Sequence, residues 1–177
     1  MNTRPLILVD ENDRPLGTAT REDAHQSPGA LHRAFSVYIF RKDGQEILIQ
    51  KRHADKLFGG LWANSCCSHP REGDDIHVIA ARRLREELGF TCVLAPVATF
   101  VYQAEDPGHR GAEHEHVTVF RGDVDNVTVA VDPTEVAEWK WIPVKELQED
   151  MTKQPDKYAP WFHIGLEKIL SDERKLP

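Results

Sequence analysis

An α+β sandwich is the architecture this 177-residue sequence predicts. Three observations carry the prediction. Several segments alternate apolar and polar residues with the two-residue period of half-buried strands. One long segment, Asp74–Leu88, repeats with the helical period. The other long helical signals come late, so strands and helices are segregated, which argues against a doubly wound parallel sheet.

The elements follow in chain order. Leu6–Val9 and Gly17–Thr20 read as short strands joined by the polar turn Asp10–Pro15. Ala34–Arg41 alternates and is rich in β-branched and aromatic residues. Lys42-Asp43-Gly44 is a hairpin turn, since Asp-Gly supplies positive φ, and Ile47–Gln50 is the returning strand. Residues 51–73 read as loop, with Gly59-Gly60 and Pro70 as breakers. In Asp74–Leu88, the residues Ile76, Ile79, Ala80, Leu84 and Leu88 share one face. Asp74 or Asp75 can cap this helix and Gly89 can end it. Leu88–Ala104 carries no formal charge. It is interrupted by Gly89 and Pro96 and falls short of the roughly 20 apolar residues of a spanning helix. Two strands split at Pro96, Val93–Leu94 and Ala98–Gln103, are expected instead. Strands His116–Gly122 and Glu138–Ile142 come next, then a short helix with Pro143 at its first position. The last helix is expected at Trp161–Leu170. No repeat or linker divides the chain, so one domain is expected over residues 1–177, with an ordered core from about 6 to about 170.

Composition narrows the function. Hydrophobic residues make up 40% and charged residues 29%, as in ordinary globular proteins. The formal charge of −7 disfavours nucleic acid and anionic membrane as partners. Three cysteines, with Cys66 and Cys67 adjacent, do not suit a disulfide framework. Cys92 reads as a small buried hydrophobe. Leu6–Val9 is too short for a secretory core, so a reducing, cytoplasmic setting is expected. Nine histidines are many for this length, and histidine is both a common metal ligand and an acid–base group.

The chemistry gathers in a few places. Leu61–Pro70 sets Cys67 two residues from His69, either a reactive thiol beside a ligand or a packed cysteine and a surface histidine. In Glu113-His114-Glu115-His116, strand alternation puts the two glutamates on one face and the two histidines on the other. Two adjacent carboxylates repel unless a cation or shared proton lies between them. Spacing alone leaves either pair open as ligands, and a solvated edge is the plain alternative. His25 and His32 flank Pro28-Gly29, a turn able to bring both to one point. Arg83 and Glu87 stand one helical turn apart and share an edge of the helix, as a surface salt bridge or as partners of an anion and a cation.

Through these residues the sequence resembles the type I isopentenyl-diphosphate δ-isomerases, a family built on the Nudix hydrolase fold. The resemblance runs from Leu6 to Leu170. It is most specific over Trp62–Pro70 and over the Nudix-box tail Arg82-Arg83-Leu84-Arg85-Glu86-Glu87-Leu88-Gly89-Phe90. Relative to the hydrolase pattern, Ser68 stands for the first Gly, Asp74 for a Glu, and Arg83 for the Glu after Arg82. Gly59 stands where a Pro is expected before Gly60. An arginine among the box carboxylates weakens a hydrolytic metal cluster and suits binding an intact diphosphate. The isomerases make this same replacement.

The resemblance implies a Nudix-like α/β/α sandwich with a mixed sheet and one long helix. It implies interconversion of isopentenyl and dimethylallyl diphosphate, an isoprenoid-precursor reaction. Cys67 and Glu115 correspond to the proton carriers, with Tyr102 beside Glu115 and Trp161 over the isoprene unit. His25, His32, His69, Glu113 and Glu115 correspond to ligands of one tightly bound divalent metal, Mn²⁺, Zn²⁺ or Mg²⁺. Glu87 corresponds to the holder of Mg²⁺ that accompanies the diphosphate. Arg21, Lys51 or Arg52, Lys56 and Arg83 correspond to phosphate-binding residues. The implied partner is a small isoprenyl diphosphate, and a monomer or weak dimer is expected. His114 and His116 gain no role. Two rivals are a Nudix hydrolase of a nucleoside or other diphosphate and a zinc-binding interaction module. The latter lacks the clustered ligand spacing of structural zinc sites.

Overall fold

Strand β3 (His32–Arg41) organises a nine-stranded mixed sheet. It pairs antiparallel with β1 (Leu6–Val9), β4 (Glu46–Arg52) and β6 (Cys66–Ser68), and parallel with β8 (Ala112–Asp123). β2 (Pro15–Ala19) extends the β1 edge. β5 (Trp62–Ala63) and β9 (Val136–Pro143) pair with β4, and β7 (Ala95–Glu105) pairs with β8. The helices are α1 (Arg21–His25), α2 (Ile76–Leu88), α3 (Val144–Lys153) and α4 (Pro160–Glu173). These coordinates are a computed structural model and describe residues 4–173; residues 1–3 and 174–177 of the expected domain lie outside them.

The alternation of β3 builds two cores. Phe35, Val37 and Ile39 face α2, where they meet Ile79, Ala80, Leu84 and Leu88. Ala34, Tyr38 and Phe40 face the other layer, with Leu147 of α3 and Trp161, Phe162 and Leu166 of α4. A sheet buried on both faces is the α/β/α sandwich that the resemblance implied.

Several boundaries differ from the sequence expectation. Residues 51–73 are not all loop: β4 runs to Arg52, and β5 and β6 lie within the segment. They form because Trp62, Ala63 and Cys66 are buried and their backbones find β4 and β3 as ladder partners. The strand expected at Val93–Leu94 does not form: β7 begins at Ala95 and runs on through Pro96. Its register against β8 shifts between Pro96 and Ala98, and a bulge there absorbs the missing proline donor. α1 was not anticipated. Thr20 caps it by accepting from the Asp23 amide, a short signal with no apolar period behind it. Pro143 ends β9 and precedes α3 rather than opening it.

The long helix matches its signals closely. Asp75 is the cap, accepting from the amides of His77 at 2.8 Å and Val78 at 3.4 Å. Gly89 ends the helix at φ +80, where a Cβ would meet Ala130 at 2.8 Å. No helix among the described residues is long and apolar enough to cross a membrane.

Candidate active site

Four elements converge at one end of the sandwich. His25 closes α1, His32 opens β3, His69 follows β6, and Glu113 and Glu115 lie on β8. Sheet register does much of the assembly. The parallel β3–β8 ladder sets His32 opposite Glu115, and the β7–β8 ladder sets Tyr102 opposite Glu115. The three imidazole rings lie 4.8, 4.9 and 5.4 Å apart, centroid to centroid. Ligand atoms of His25, His32, His69 and Glu113 all fall within 4.8 Å of one another.

The tautomers can be read from the partners. The Nδ1 of His25 meets the Arg21 carbonyl at 2.7 Å, and the Nδ1 of His32 meets the Ala30 carbonyl at 2.7 Å. A carbonyl only accepts, so each Nδ1 carries a proton and each Nε2 is turned inward, with a lone pair to give when the ring is neutral. Those two Nε2 atoms and Oε2 of Glu113 are buried with no hydrogen-bond partner, although His25 Nε2 and Glu113 Oε2 stand only 2.9 Å apart. His69 Nε2 lies 2.7 Å from Oε1 of Glu115. Burial pushes His32 down to about 4 and His69 down to about 3, so both stay neutral. For His25 burial works against protonation, but the contact and charge of Glu113 outweigh it and raise the pKa. Inward lone pairs beside carboxylates fit a divalent cation with mixed nitrogen and oxygen donors. His114 and His116 point elsewhere, towards the Gly29 carbonyl and Asp13.

A cavity of about 100 Å³ adjoins this cluster. Cys67, Glu115, Tyr102 and Trp161 all line it. The adjacent cysteines divide by strand alternation: Cys66 packs against the α2 layer and Cys67 faces the cavity. Burial pushes the Cys67 thiol up to about 12, against the pull of Arg52, whose Nη1 lies 3.5 Å from the sulfur. Cys67 therefore holds its proton near neutral pH. Glu115 accepts from the Tyr102 hydroxyl at 2.7 Å. The Trp161 ring is fixed by its Nε1 donating to Asn64 at 2.9 Å, and by Phe58 packed edge-on at 5.2 Å.

Arg21, Arg52, Lys56, Arg83 and Glu87 line the same cavity. Glu87 is buried and accepts from Arg83 at 2.6 Å and from Gln50 at 3.3 Å. Burial raises its pKa to about 7, against the pull of Arg83. Lys51 is a correction. It lies on the opposite face of β4, paired with Glu138 at 2.8 Å, because strand alternation sends Gln50 and Arg52 inward and Lys51 outward. Of the two basic residues left open in the sequence, Arg52 is the one at the cavity.

Sequence reasoning missed several residues here. Gln50 shares the inward face of β4 with Arg52, a signal present in the alternation. Glu135 holds Lys56 at 2.6 Å and carries no local motif. Asn64 is fully buried, donating to the carbonyls of Val37 and Cys66 while holding Trp161. Arg71 also reaches the cavity.

Known proteins resemble the chain in sequence and in fold. The NUDIX domain family matches residues 30–162. A protein of Burkholderia multivorans named isopentenyl-diphosphate Delta-isomerase is 44% identical over 92% of this chain and 91% of its own length. Proteins of the same name from Halorhodospira halophila and Nocardia farcinica are 41% and 40% identical, covering 89% and 92% of this chain and 90% and 93% of their own. Among solved structures, DR0079 from Deinococcus radiodurans superposes with a TM-score of 0.67 at 19% identity, over 85% of this chain and 90% of that one. The MutT protein from Methanosarcina mazei gives 0.65 at 17%, over 81% and 95%; both show the fold. The chain carries a NUDIX domain and belongs to the isopentenyl-diphosphate Delta-isomerase family.

Proposed function

We propose that the chain interconverts isopentenyl diphosphate and dimethylallyl diphosphate by proton transfer. The observation that supports this most is that a protonated thiol, Cys67, and a carboxylate, Glu115, line one cavity with the Trp161 ring. In the forward direction one proton is added to the terminal alkene carbon, and the positive charge falls on the tertiary carbon. A second proton then leaves the carbon next to the diphosphate-bearing one, and the double bond re-forms there. Atoms and charge balance, with one proton in and one out. An alkene is a weak base, so the acid must be held close and water kept away. Cys67 and Glu115 are the two proton carriers, and either serves as acid according to direction. Tyr102 holds Glu115 in place. The negative face of Trp161 stabilises the cationic carbon by about 0.5–2 kcal/mol.

His25, His32, His69, Glu113 and Glu115 would hold one divalent cation, Mn²⁺, Zn²⁺ or Mg²⁺, whose charge favours the ionised form of Glu115. Glu87 would hold the Mg²⁺ that accompanies the diphosphate and partly neutralises it. Arg21, Arg52, Lys56 and Arg83 bind the phosphate oxygens, while Arg83 in the box removes a hydrolytic carboxylate. The protein acts as a monomer or weak dimer on this small anion. It works in a reducing, cytoplasmic compartment, which its free cysteines support.

The test is incubation with isopentenyl diphosphate and Mg²⁺ in D₂O, followed by NMR. Dimethylallyl diphosphate carrying deuterium is expected. Phosphate release without double-bond migration would replace this reading with that of a diphosphate hydrolase.

A further inference from the structure

Arg71 follows the His69-Pro70 pair and lines the cavity beside Cys67 and Glu115. It is only 8% exposed. Its Nε and Nη1 are buried and have no hydrogen-bond partner. Such a group is costly, because a desolvated guanidinium loses water and gains nothing in return.

The Asp74 carboxylate makes no hydrogen bond to the Arg71 Nε or Nη1. Asp74 accepts from the backbone amide of Arg71 at 2.9 Å and from the Arg4 guanidinium at 2.6 Å. Three other cavity cations are already engaged. Lys56 holds Glu135, Arg83 is clamped by Glu86 and Glu87, and Arg52 donates to the Leu57 carbonyl. An arginine kept buried among like charges with unmet donors is placed for an anion that arrives from outside.

We propose that Arg71 is a further diphosphate-binding residue, its unpartnered guanidinium donors meeting phosphate oxygens of the bound substrate. This rests on the proposed reading of the cavity as a diphosphate site and adds a residue to its anion-binding wall. It also carries an unusual signature: Arg71 contributes to affinity and detracts from the stability of the ligand-free fold.

The experiment compares wild type with Arg71→Gln and Arg71→Lys. Calorimetry with inorganic diphosphate and Mg²⁺ gives the affinity, and thermal denaturation of the ligand-free protein gives the stability. Arg71→Gln is expected to weaken diphosphate binding about tenfold or more. Its ligand-free midpoint is expected to stay level or rise. Arg71→Lys, which keeps the charge and loses the planar fork, is expected between the two in affinity. With isopentenyl diphosphate, KM should rise in Arg71→Gln while kcat changes little. An unchanged diphosphate affinity overturns the proposal. A fall in ligand-free stability that accompanies lost affinity also overturns it, since a structural arginine would produce that pattern. A wild-type protein that binds inorganic diphosphate but does not isomerise isopentenyl diphosphate would sink the proposed reaction and leave the Arg71 assignment standing.

Discussion

Cys67 shows how a neighbourhood sets the chemistry of one side chain. Half-buried beside three carboxylates it keeps its proton, and Arg52 leans the other way. Replacing Cys67 with Ala should abolish isomerisation, leaving diphosphate binding and the fold nearly intact. NMR turnover and calorimetry read the two separately, and normal turnover in the variant would remove the thiol from the mechanism. His69 illustrates the opposite case, an imidazole held neutral by burial and therefore ready to donate its lone pair. Elemental analysis of purified protein should find about one tightly held divalent ion per chain, and His69→Ala should lose it. Retention would argue against the five-residue ligand set. Single residues also mark where the sequence was hardest to interpret. Lys51 and Arg52 are adjacent basic residues, and nothing in their chemistry separates them. Their places on β4 do: Gln50 and Arg52 reach the cavity, while Lys51 pairs with Glu138 outside it.

At the scale of elements, α2 was the most legible because its signals agree with one another. An Asp cap, an apolar seam and a left-handed glycine all specify the same ends. Asp75→Ala should cost about 1 kcal/mol through the two lost cap bonds. Gly89→Ala should cost at least about 1 kcal/mol, since the left-handed backbone is strained for alanine and its Cβ would press on Ala130. Urea denaturation measures both, and neutral values would show that the helix end is held by packing alone. β5, β6 and α1 were illegible for a common reason. They are two, three and five residues long, too short for any period to register. Their existence depends on partners far away in sequence: β6 is a strand because β3 lies beside it. The same holds for the split expected at Pro96. Local reading sees a breaker, whereas a bulge against β8 lets the strand continue.

The histidine cluster gives the whole molecule a pH response. His32 and His69 take up protons at about 4 and about 3 in the fold, against 6.5 for an ordinary histidine. Between those values the unfolded chain binds more protons than the folded one. Stability of the metal-free protein should therefore fall as pH drops below 6.5, by about 1.4 kcal/mol per pH unit for each of the two histidines. His25 has the opposite sign: its raised pKa contributes stability at low pH that is lost as pH rises. Denaturation midpoints of the metal-free protein across this range test the net effect, and His69→Gln should make the slope shallower. A slope unaltered by that change would mean the histidine is not held neutral. The α+β class followed from the order of elements, and helices on both faces of a mixed sheet from the family resemblance. The meeting of α1, β3, β6 and β8 at one corner did not, because it is set by ladder register across residues 25–115. That register has a consequence for the cysteine doublet. Which sulfur reacts is decided by the phase of a three-residue strand: a slip of β6 by one position would turn Cys67 into core filler and present Cys66 instead. The doublet is thus a built-in reporter of sheet alignment. Of the doublet's two sulfurs, mass mapping of a small alkylating reagent at alkaline pH should find its label on Cys67 in the native protein, and on both once the alignment is lost.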